Sequence, residues 1–299
     1  MPVSGKWSRV PRASLNTTNL TTMAFLEEYF DRIGFKTEER PPPSLDTLKE
    51  LHHLHPKSIP FENIDVVVGK PVSVDPEAVK KKLVSEKRGG YCLEQNVLFN
   101  EVLREIGFQT KIYLARVVWV NKGPDYLPPT HVFLGVIIDG EEFVADVGFG
   151  GQTLSGPLLL KTGLEQKVPK GLFRLTKYEN AELPYDKIML EVKLKDEWKS
   201  IYCSNLSPQR LSDLQVQNWW TSANPNSPFL KRLILAKHTE TESVNLLNLG
   251  LTIYHHDTGE KETHALTLEN ILEVLEERFT ISVPELETEL KAFLSRIST

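Results

Sequence analysis

Cysteine is scarce in this sequence, with two residues in a chain of 299. Two cysteines cannot form a disulfide framework or a Cys-x-x-Cys zinc site. No apolar run approaches the roughly 20 residues that a transmembrane helix needs, and residues 132–138 are among the longest. The N-terminal segment lacks the apolar block of a secretory signal. We therefore expect a cytoplasmic protein with free thiols and no membrane partner.

An excess of positive charge is also missing, because 35 Lys and Arg stand against 40 Asp and Glu, for a net charge of −5. A protein that binds nucleic acid in general should present a basic face. We therefore expect no nucleic-acid partner, although one small anionic ligand could still be held by a local site. The length suggests two domains or three small ones, at about 100–200 residues each.

Hydrophobic periodicity separates a helical first third of the chain from a strand-rich middle. Helices are predicted to end at Gly34, to lie between Pro43 and Pro56, to begin at Asp75 and to follow the Gly89-Gly90 pair. After Gly107 come short β-rich runs with scattered proline and glycine, as in a small barrel or sandwich. From about Leu211 the helix and strand signals are mixed.

Cys92 follows a pair of glycines, which allow a tight turn of close approach before a helix. It therefore falls at a helix N-terminus, where the helix dipole and the unpaired N–H groups favour a thiolate. The alternative is a buried structural cysteine, since free cysteines are among the most buried residues. Cys203 lies in a strand-like run without such a turn, so we expect it to be inert.

A hairpin places two further residues beside each other. Asp139-Gly140 between apolar runs predicts a two-residue turn in which Ile138 faces Glu141. In that register His131 and Asp146 are diagonal neighbours on one face. A carboxylate there can orient an imidazole and stabilise its charged form. An ionised group in an apolar strand also needs a partner. The residues alone thus favour a Cys92–His131–Asp146 triad, unless the register slips by one.

Four segments together resemble a known family. Arg-Gly-Gly-Tyr-Cys-Leu-Glu-Gln-Asn around Cys92, Thr-His-Val-Phe-Leu around His131, Ala-Asp-Val-Gly-Phe-Gly-Gly around Asp146, and the upstream Ile-Pro-Phe-Glu-Asn-Ile-Asp at 59–65 are similar, in order and spacing, to the arylamine N-acetyltransferases. The resemblance covers residues 24–156, continues more loosely over 218–229, and looks like the microbial form.

The resemblance implies an α+β fold with a cysteine-protease-like catalytic core. Residues 24–108 would form a helical bundle that carries the nucleophile, residues 109–210 a β-barrel that carries His131 and Asp146, and residues 211–299 an α/β lid. Residues 1–23 extend beyond a typical family start, and we expect them to be disordered.

The resemblance also implies a ping-pong reaction of xenobiotic metabolism. The thiolate would take an acetyl group from acetyl-CoA as a thioester and pass it to an arylamine, hydrazine or N-hydroxyarylamine. It further implies an ion pair between Arg88 and Glu62. The acceptor pocket would be lined by Phe61, Val117 and Phe149. A loop with Gly148, Gly150 and Gly151 would face CoA, and its N–H groups would be open to a pyrophosphate or oxyanion.

Other functions fit the same triad order. A cysteine hydrolase, peptidase or transglutaminase-like enzyme would use it, as would an amide synthase that works without CoA, and a catalytically silent binding protein could retain it. No metal site is expected at His52-His53-x-His55, because adjacent residues on a helix do not share a face. We expect a monomer or a weak homo-oligomer.

Overall fold

A computed structural model describes residues 15–119, 128–178 and 188–297 of the chain. Helices occupy its first third and its last part, and strands fill the middle. Within these ranges no helix is both long enough and apolar enough to cross a membrane. The helices are α1 (Leu15–Ile33), α2 (Leu45–Ser58), α3 (Ile64–Val67), α4 (Pro76–Lys80), α5 (Cys92–Ile106), α6 (Leu214–Ala223), α7 (Ile271–Phe279) and α8 (Glu287–Ile297).

The strands of the described chain build two antiparallel sheets. They are β1 (Phe61–Glu62), β2 (Gln109–Val117), β3 (His131–Ile138), β4 (Glu141–Ala145), β5 (Leu158–Leu159), β6 (Glu165–Val168), β7 (Gly171–Lys177), β8 (Ile188–Leu194), β9 (Glu197–Ser204), β10 (Pro208–Gln209), β11 (Ile234–His238), β12 (Glu242–Leu247), β13 (Gly250–His255) and β14 (Lys261–Ala265). The expected α+β class is confirmed.

Local signals set most helix ends in the first third. The Ser44 side chain accepts a hydrogen bond from the Thr47 N–H at the start of α2, as an N-cap residue does. Asp75 caps α4 in the same way, and α5 ends at Gly107, whose φ of 110° suits glycine. The predictions at Gly34, Asp75 and Gly107 are confirmed.

Two expectations about helices need correction. Helix α2 does not end before Pro56 but continues to Ser58. Pro56 lies in the last turn, where its missing N–H removes a single bond, and the Ile59 N–H still reaches the His55 carbonyl at 2.8 Å. Helix α1 begins at Leu15, so the backbone of residues 15–23 is helical where we expected disorder. Residues 1–14 of that expected extension lie outside the described chain.

The larger sheet curls into a nearly closed barrel and contains the predicted hairpin. Its strand order is β5-β4-β3-β2-β9-β8-β7-β6, with β10 paired to β2. Ile138 lies opposite Glu141 and Leu134 opposite Ala145, which confirms the predicted register. The turn residues Asp139 and Gly140 both have positive φ, as a tight hairpin of this kind requires.

The smaller sheet joins the first third of the chain to the last. Its order is β1-β11-β12-β13-β14, and β1 comes from the helical region. Phe61 pairs with Ala236 and Glu62 with Leu235. Helices α7 and α8 add apolar side chains to a core on this sheet, among them Leu275. The residues next to β1 are therefore anchored from both ends of the sequence.

The side chain of Asn63, next to β1, links the first third of the chain to the segment that leads into β11. Its side-chain amide donates to the carbonyls of Phe229 at 2.9 Å and Arg232 at 2.8 Å. Its oxygen accepts from the Ile234 N–H at 2.7 Å. We expect Asn63→Ala to lower the free energy of unfolding by about 2–3 kcal/mol, because three partly buried backbone groups lose their partner.

Urea denaturation at neutral pH measures this loss. Asn205→Ala is the matched control, since exposed Asn205 only caps the N–H of Ser207 and should change stability by about 0.5 kcal/mol or less. An equal change in the free energy of unfolding for the two substitutions would show that the Asn63 side chain does not stabilise this connection.

Candidate active site

Cys92 is the first residue of α5 and is almost fully buried. The two glycines before it are required by packing. A Cβ atom on Gly89 would lie 2.7 Å from Cγ of Glu62, and one on Gly90 would lie 2.8 Å from Cβ of Glu94. The turn can therefore approach β1 and α5 closely enough to set the thiol at the helix start. The predicted position of Cys92 is confirmed.

His131 and Asp146 meet as the hairpin register predicts. His131 Nε2 lies 2.7 Å from Asp146 Oδ2, and the two side chains are 3% and 0% exposed. Burial by itself lowers the pKa of His131, but Asp146, and to a smaller extent Cys92, raise it to about 10. His131 is therefore cationic at neutral pH, and its Nδ1 remains for the Cys92 thiol.

The Asp146 carboxylate has partners for both oxygens. Its Oδ1 accepts from the Asn96 side-chain amide at 3.1 Å and from the Gly148 N–H at 3.0 Å. Burial raises the pKa of Asp146, but the charge of His131 and these hydrogen bonds outweigh it and hold that pKa below its usual value. Asp146 therefore stays ionised in an apolar region.

Asn96 is a site residue that the sequence patterns did not predict. It lies one turn after Cys92 on α5, and its amide also donates to the Val132 carbonyl at 2.9 Å. Its oxygen accepts from the Val147 N–H at 3.2 Å. Asn96 thus ties the nucleophile helix to the hairpin. The i, i+4 spacing from Cys92 is the signal that could have identified it.

The expected Arg88–Glu62 pair is part of a larger buried cluster. Arg88 Nη2 lies 2.8 Å from Glu62 Oε1 and 3.1 Å from Asp65 Oδ1. Lys82 Nζ lies 2.7 Å from both Asp65 Oδ2 and Glu94 Oε1. The Arg88–Glu62 pair is therefore buried, and it differs from an exposed ion pair, which contributes little to stability. Lys82, Asp65 and Glu94 were not identified from the sequence.

Glu94 connects this cluster to the nucleophile turn. Its carboxylate accepts from the Tyr91 N–H at 3.0 Å, three residues earlier, which is half of a capping box. Burial raises the pKa of Glu94 to about 7, against the lowering effect of Lys82. The acidic residue at the third position of α5 was a readable capping signal.

Aromatic rings line the hairpin side of the site. Phe149 meets the His131 ring edge-on with centroids 5.1 Å apart, and Tyr202 lies against the same ring at 5.0 Å. Val117 pairs with Tyr202 across the sheet. Burial, and then the charge of Asp146, raise the pKa of Tyr202 and keep its phenol neutral. Tyr202 was not identified from the sequence.

Phe61 lies next to the nucleophile turn, where it pairs with Gly90. Its ring is 6.3 Å from that of Phe229, which is 5.9 Å from that of Tyr91. A Cβ atom on Gly150 would lie 3.6 Å from the Phe61 ring.

Of the three expected pocket residues, Phe149 contacts His131 directly, whereas Val117 pairs with Tyr202 beside that ring. Phe61 lies between the nucleophile turn and the glycine loop.

The glycine loop after Asp146 differs from expectation. The N–H of buried Gly148 is bonded to Asp146, and that of buried Gly150 donates to Thr153 Oγ1 at 2.7 Å. These two N–H groups are thus not free for a phosphate or oxyanion. Gly148 is required by packing, because a Cβ atom there would lie 3.0 Å from Cα of Cys92. Of the three glycines, exposed Gly151 remains the candidate for contact with CoA.

Within residues 15–119, 128–178 and 188–297, no group of three or more His, Cys, Asp or Glu side chains could hold a metal ion. The histidines of α2 instead bond to neighbouring protein groups.

Known proteins are similar to this chain over most of its length. A family model described as N-acetyltransferase matches residues 44–288. The chain is 33% identical over 283 residues to arylamine N-acetyltransferase / N-hydroxyarylamine O-acetyltransferase of Salmonella typhimurium, covering 92% of this chain and 97% of the relative. It is 36% identical over 281 residues to arylamine N-acetyltransferase of Mycobacterium bovis, covering 91% and 96%.

A solved structure has a similar fold. The structure of Mycobacterium marinum arylamine N-acetyltransferase in complex with CoA matches with a TM-score of 0.82 at 33% identity. The match covers 91% of this chain and 99% of that one. The similarity therefore extends over the helices, the barrel and the last third of the chain together.

The charge state of His131 gives a direct prediction. Asp146→Asn keeps the shape but removes the charge that raises the His131 pKa, so the imidazolium is lost near pH 7. We expect alkylation of Cys92 by iodoacetamide at pH 7 to slow by about tenfold or more. Peptide mass spectrometry separates Cys92 from Cys203, which serves as internal reference.

Asp139→Asn in the exposed hairpin turn is the matched control and should leave the Cys92 rate unchanged. An unchanged rate in Asp146→Asn as well would show that the carboxylate does not govern the thiol.

Proposed function

The chain belongs to the arylamine N-acetyltransferase family, and on that premise we propose that Cys92, His131 and Asp146 transfer an acetyl group from acetyl-CoA to an arylamine, hydrazine or N-hydroxyarylamine. The observation that carries the proposal is the buried His131–Asp146 pair beside a thiol at a helix N-terminus. A thiolate and an imidazolium together supply a strong nucleophile at neutral pH.

In the first half-reaction the Cys92 thiolate attacks the thioester carbonyl of acetyl-CoA. A bond forms between Sγ and the acetyl carbon, and the bond from that carbon to the CoA sulfur breaks. His131, which is cationic at neutral pH because of Asp146, gives its Nδ1 proton to the departing CoA thiolate. The products are CoA and an acetyl thioester on Cys92, with His131 neutral.

In the second half-reaction the acceptor nitrogen attacks the Cys92 thioester. The new bond joins nitrogen to the acetyl carbon, and Cys92 leaves as a thiolate. Neutral His131 accepts the proton that the nitrogen loses, which restores the imidazolium. Asp146 orients the ring in both halves and does not itself exchange a proton.

The surrounding residues have supporting roles in this proposal. Phe61, Val117 and Phe149 form the apolar surface for the aromatic acceptor. Gly151, exposed on its loop, faces the path of CoA, while Gly148 and Gly150 act through their close packing. The Arg88–Glu62 pair fixes the turn before the nucleophile.

We propose that the three parts of the chain divide the work. Residues 24–108 supply the thiol, residues 109–210 supply His131 and Asp146, and residues 211–299 cover the site as a lid. A reducing cytoplasm suits this chemistry because the Cys92 thiol must stay reduced, and neither Cys92 nor Cys203 forms a disulfide. We propose a role in xenobiotic metabolism and a monomer or weak homo-oligomer.

Mass measurement after incubation with acetyl-CoA alone tests the transfer. We expect a gain of about 42 Da, one acetyl group, located on Cys92. Addition of an arylamine should remove the adduct and release acetylarylamine. Cys92→Ala should abolish the adduct, and Cys203→Ala, the control at the other cysteine, should retain it.

Absence of the adduct in the wild-type protein would overturn the proposal. Turnover of peptide or ester substrates without CoA would then favour a cysteine hydrolase, and amide closure without CoA would favour an amide synthase.

A further inference from the structure

Two histidines of α2 lie behind the triad and do not touch the reacting groups. His52 and His55 are three positions apart, so they share one face of the helix. Both side chains are fully buried. Their rings meet Phe99 of α5 edge-on, at 5.8 and 5.4 Å between centroids. Neither has a role in the reaction as described above.

His52 holds the backbone N–H of Asp146. Its Nε2 accepts the N–H of Asp146 at 3.0 Å. Strand β4 ends at Ala145, so this N–H is the first one beyond the ladder and would otherwise be a buried donor without a partner. Burial lowers the pKa of His52 to about 4, although Asp146 acts in the opposite direction. The neutral ring therefore keeps a lone pair for this bond.

His55 holds the turn before the nucleophile through a relay. Its Nδ1 is 2.9 Å from the Tyr29 hydroxyl, and its Nε2 is 2.7 Å from Gln95 Oε1. The Gln95 amide nitrogen donates to the carbonyls of Pro60 at 2.8 Å and Gly90 at 3.2 Å. Because Gln95 thus accepts with its oxygen, His55 donates from Nε2 and accepts from Tyr29.

We propose that His52 and His55 are positioning residues that hold Asp146 and the nucleophile turn in a fixed relative position. The thiol comes from α5, whereas His131 and Asp146 come from the barrel, so the triad forms only if these two parts are held in a fixed relative position. One face of helix α2 bonds to both parts, to Asp146 through His52 and to the nucleophile turn through His55. This inference rests on the proposed function, because it assigns the pair to the alignment of that triad.

Ring geometry explains why histidine serves here. An imidazole holds its acceptor at a fixed distance from the backbone with two rotatable bonds. A glutamine can place its Oε1 near the position of Nε2, whereas the shorter asparagine places its oxygen near the position of Nδ1. The two amides therefore separate loss of the acceptor from the introduction of a polar side chain.

Alkylation of Cys92 by iodoacetamide at two pH values tests His52. Relative to wild type, His52→Asn should slow Cys92 alkylation by about tenfold at pH 6.5 and by at most about twofold at pH 9.5, where thiols ionise without help. His52→Gln should stay within about threefold at both values. His53→Gln, one residue along α2 and bonded outside the triad, is the control and should match wild type.

The same assay tests His55. His55→Leu removes the donor to Gln95 and should show the same loss at pH 6.5, whereas His55→Gln keeps a donor and should recover most of the rate. Thermal unfolding confirms that each compared variant is folded at the assay temperature. Should His55→Leu fail to fold, the Gln and Asn variants of His52 decide the outcome.

Two results separate the inference from the proposed function. If the wild-type protein accepts an acetyl group from acetyl-CoA but His52→Asn alkylates like wild type at pH 6.5, the positioning role is overturned. An equal loss at pH 6.5 and pH 9.5 would also overturn it, since that is a general loss of structure. If the wild-type protein accepts no acetyl group, the proposed function fails, and the alkylation rates still report on the alignment of Cys92.

Discussion

The hydrogen bond between His131 and Asp146 is the interaction on which the site depends. Burial alone would leave the imidazole neutral at pH 7, and the adjacent carboxylate is the largest influence that reverses this effect. A buried carboxylate is itself costly unless several donors satisfy it. The loop after β4 and helix α5 supply those donors through Gly148 and Asn96. Much of the local packing therefore serves one ionised side chain.

A second buried electrostatic cluster supports the nucleophile turn from the other side. Its three carboxyl groups, Glu62, Asp65 and Glu94, surround the two cations Lys82 and Arg88. Such a cluster contributes little net stability compared with apolar packing, but removing Lys82 or Arg88 would leave buried carboxylates without a compensating cation. It fixes β1, the glycine turn and the start of α5 together, so that the thiol cannot drift from the imidazole.

Local patterns predicted the parts of the site that are local. The two-residue hairpin determined which residues face each other, so the approach of His131 and Asp146 followed from counting, and the glycine pair placed Cys92 at a helix start. Asn96, Tyr202 and Lys82 act through contacts between residues far apart in the sequence, from 12 positions for Lys82 and Glu94 to 71 for Tyr202 and His131. Such contacts are decided by tertiary packing. The prediction that the N–H groups of the glycine loop are open to a phosphate was wrong for Gly148 and Gly150. Close packing and phosphate binding both favour glycine, so the sequence pattern does not distinguish them.

The central claim is that Asp146 keeps His131 charged beside Cys92 throughout the neutral range. Nitrogen-15 NMR of histidine-labelled protein measures the charge of this ring directly, with His131→Asn to assign its signals. The account predicts an imidazolium for His131 at pH 8, where an ordinary histidine is neutral, with deprotonation near the raised pKa of about 10. A neutral His131 ring at pH 8 in the free enzyme would contradict it.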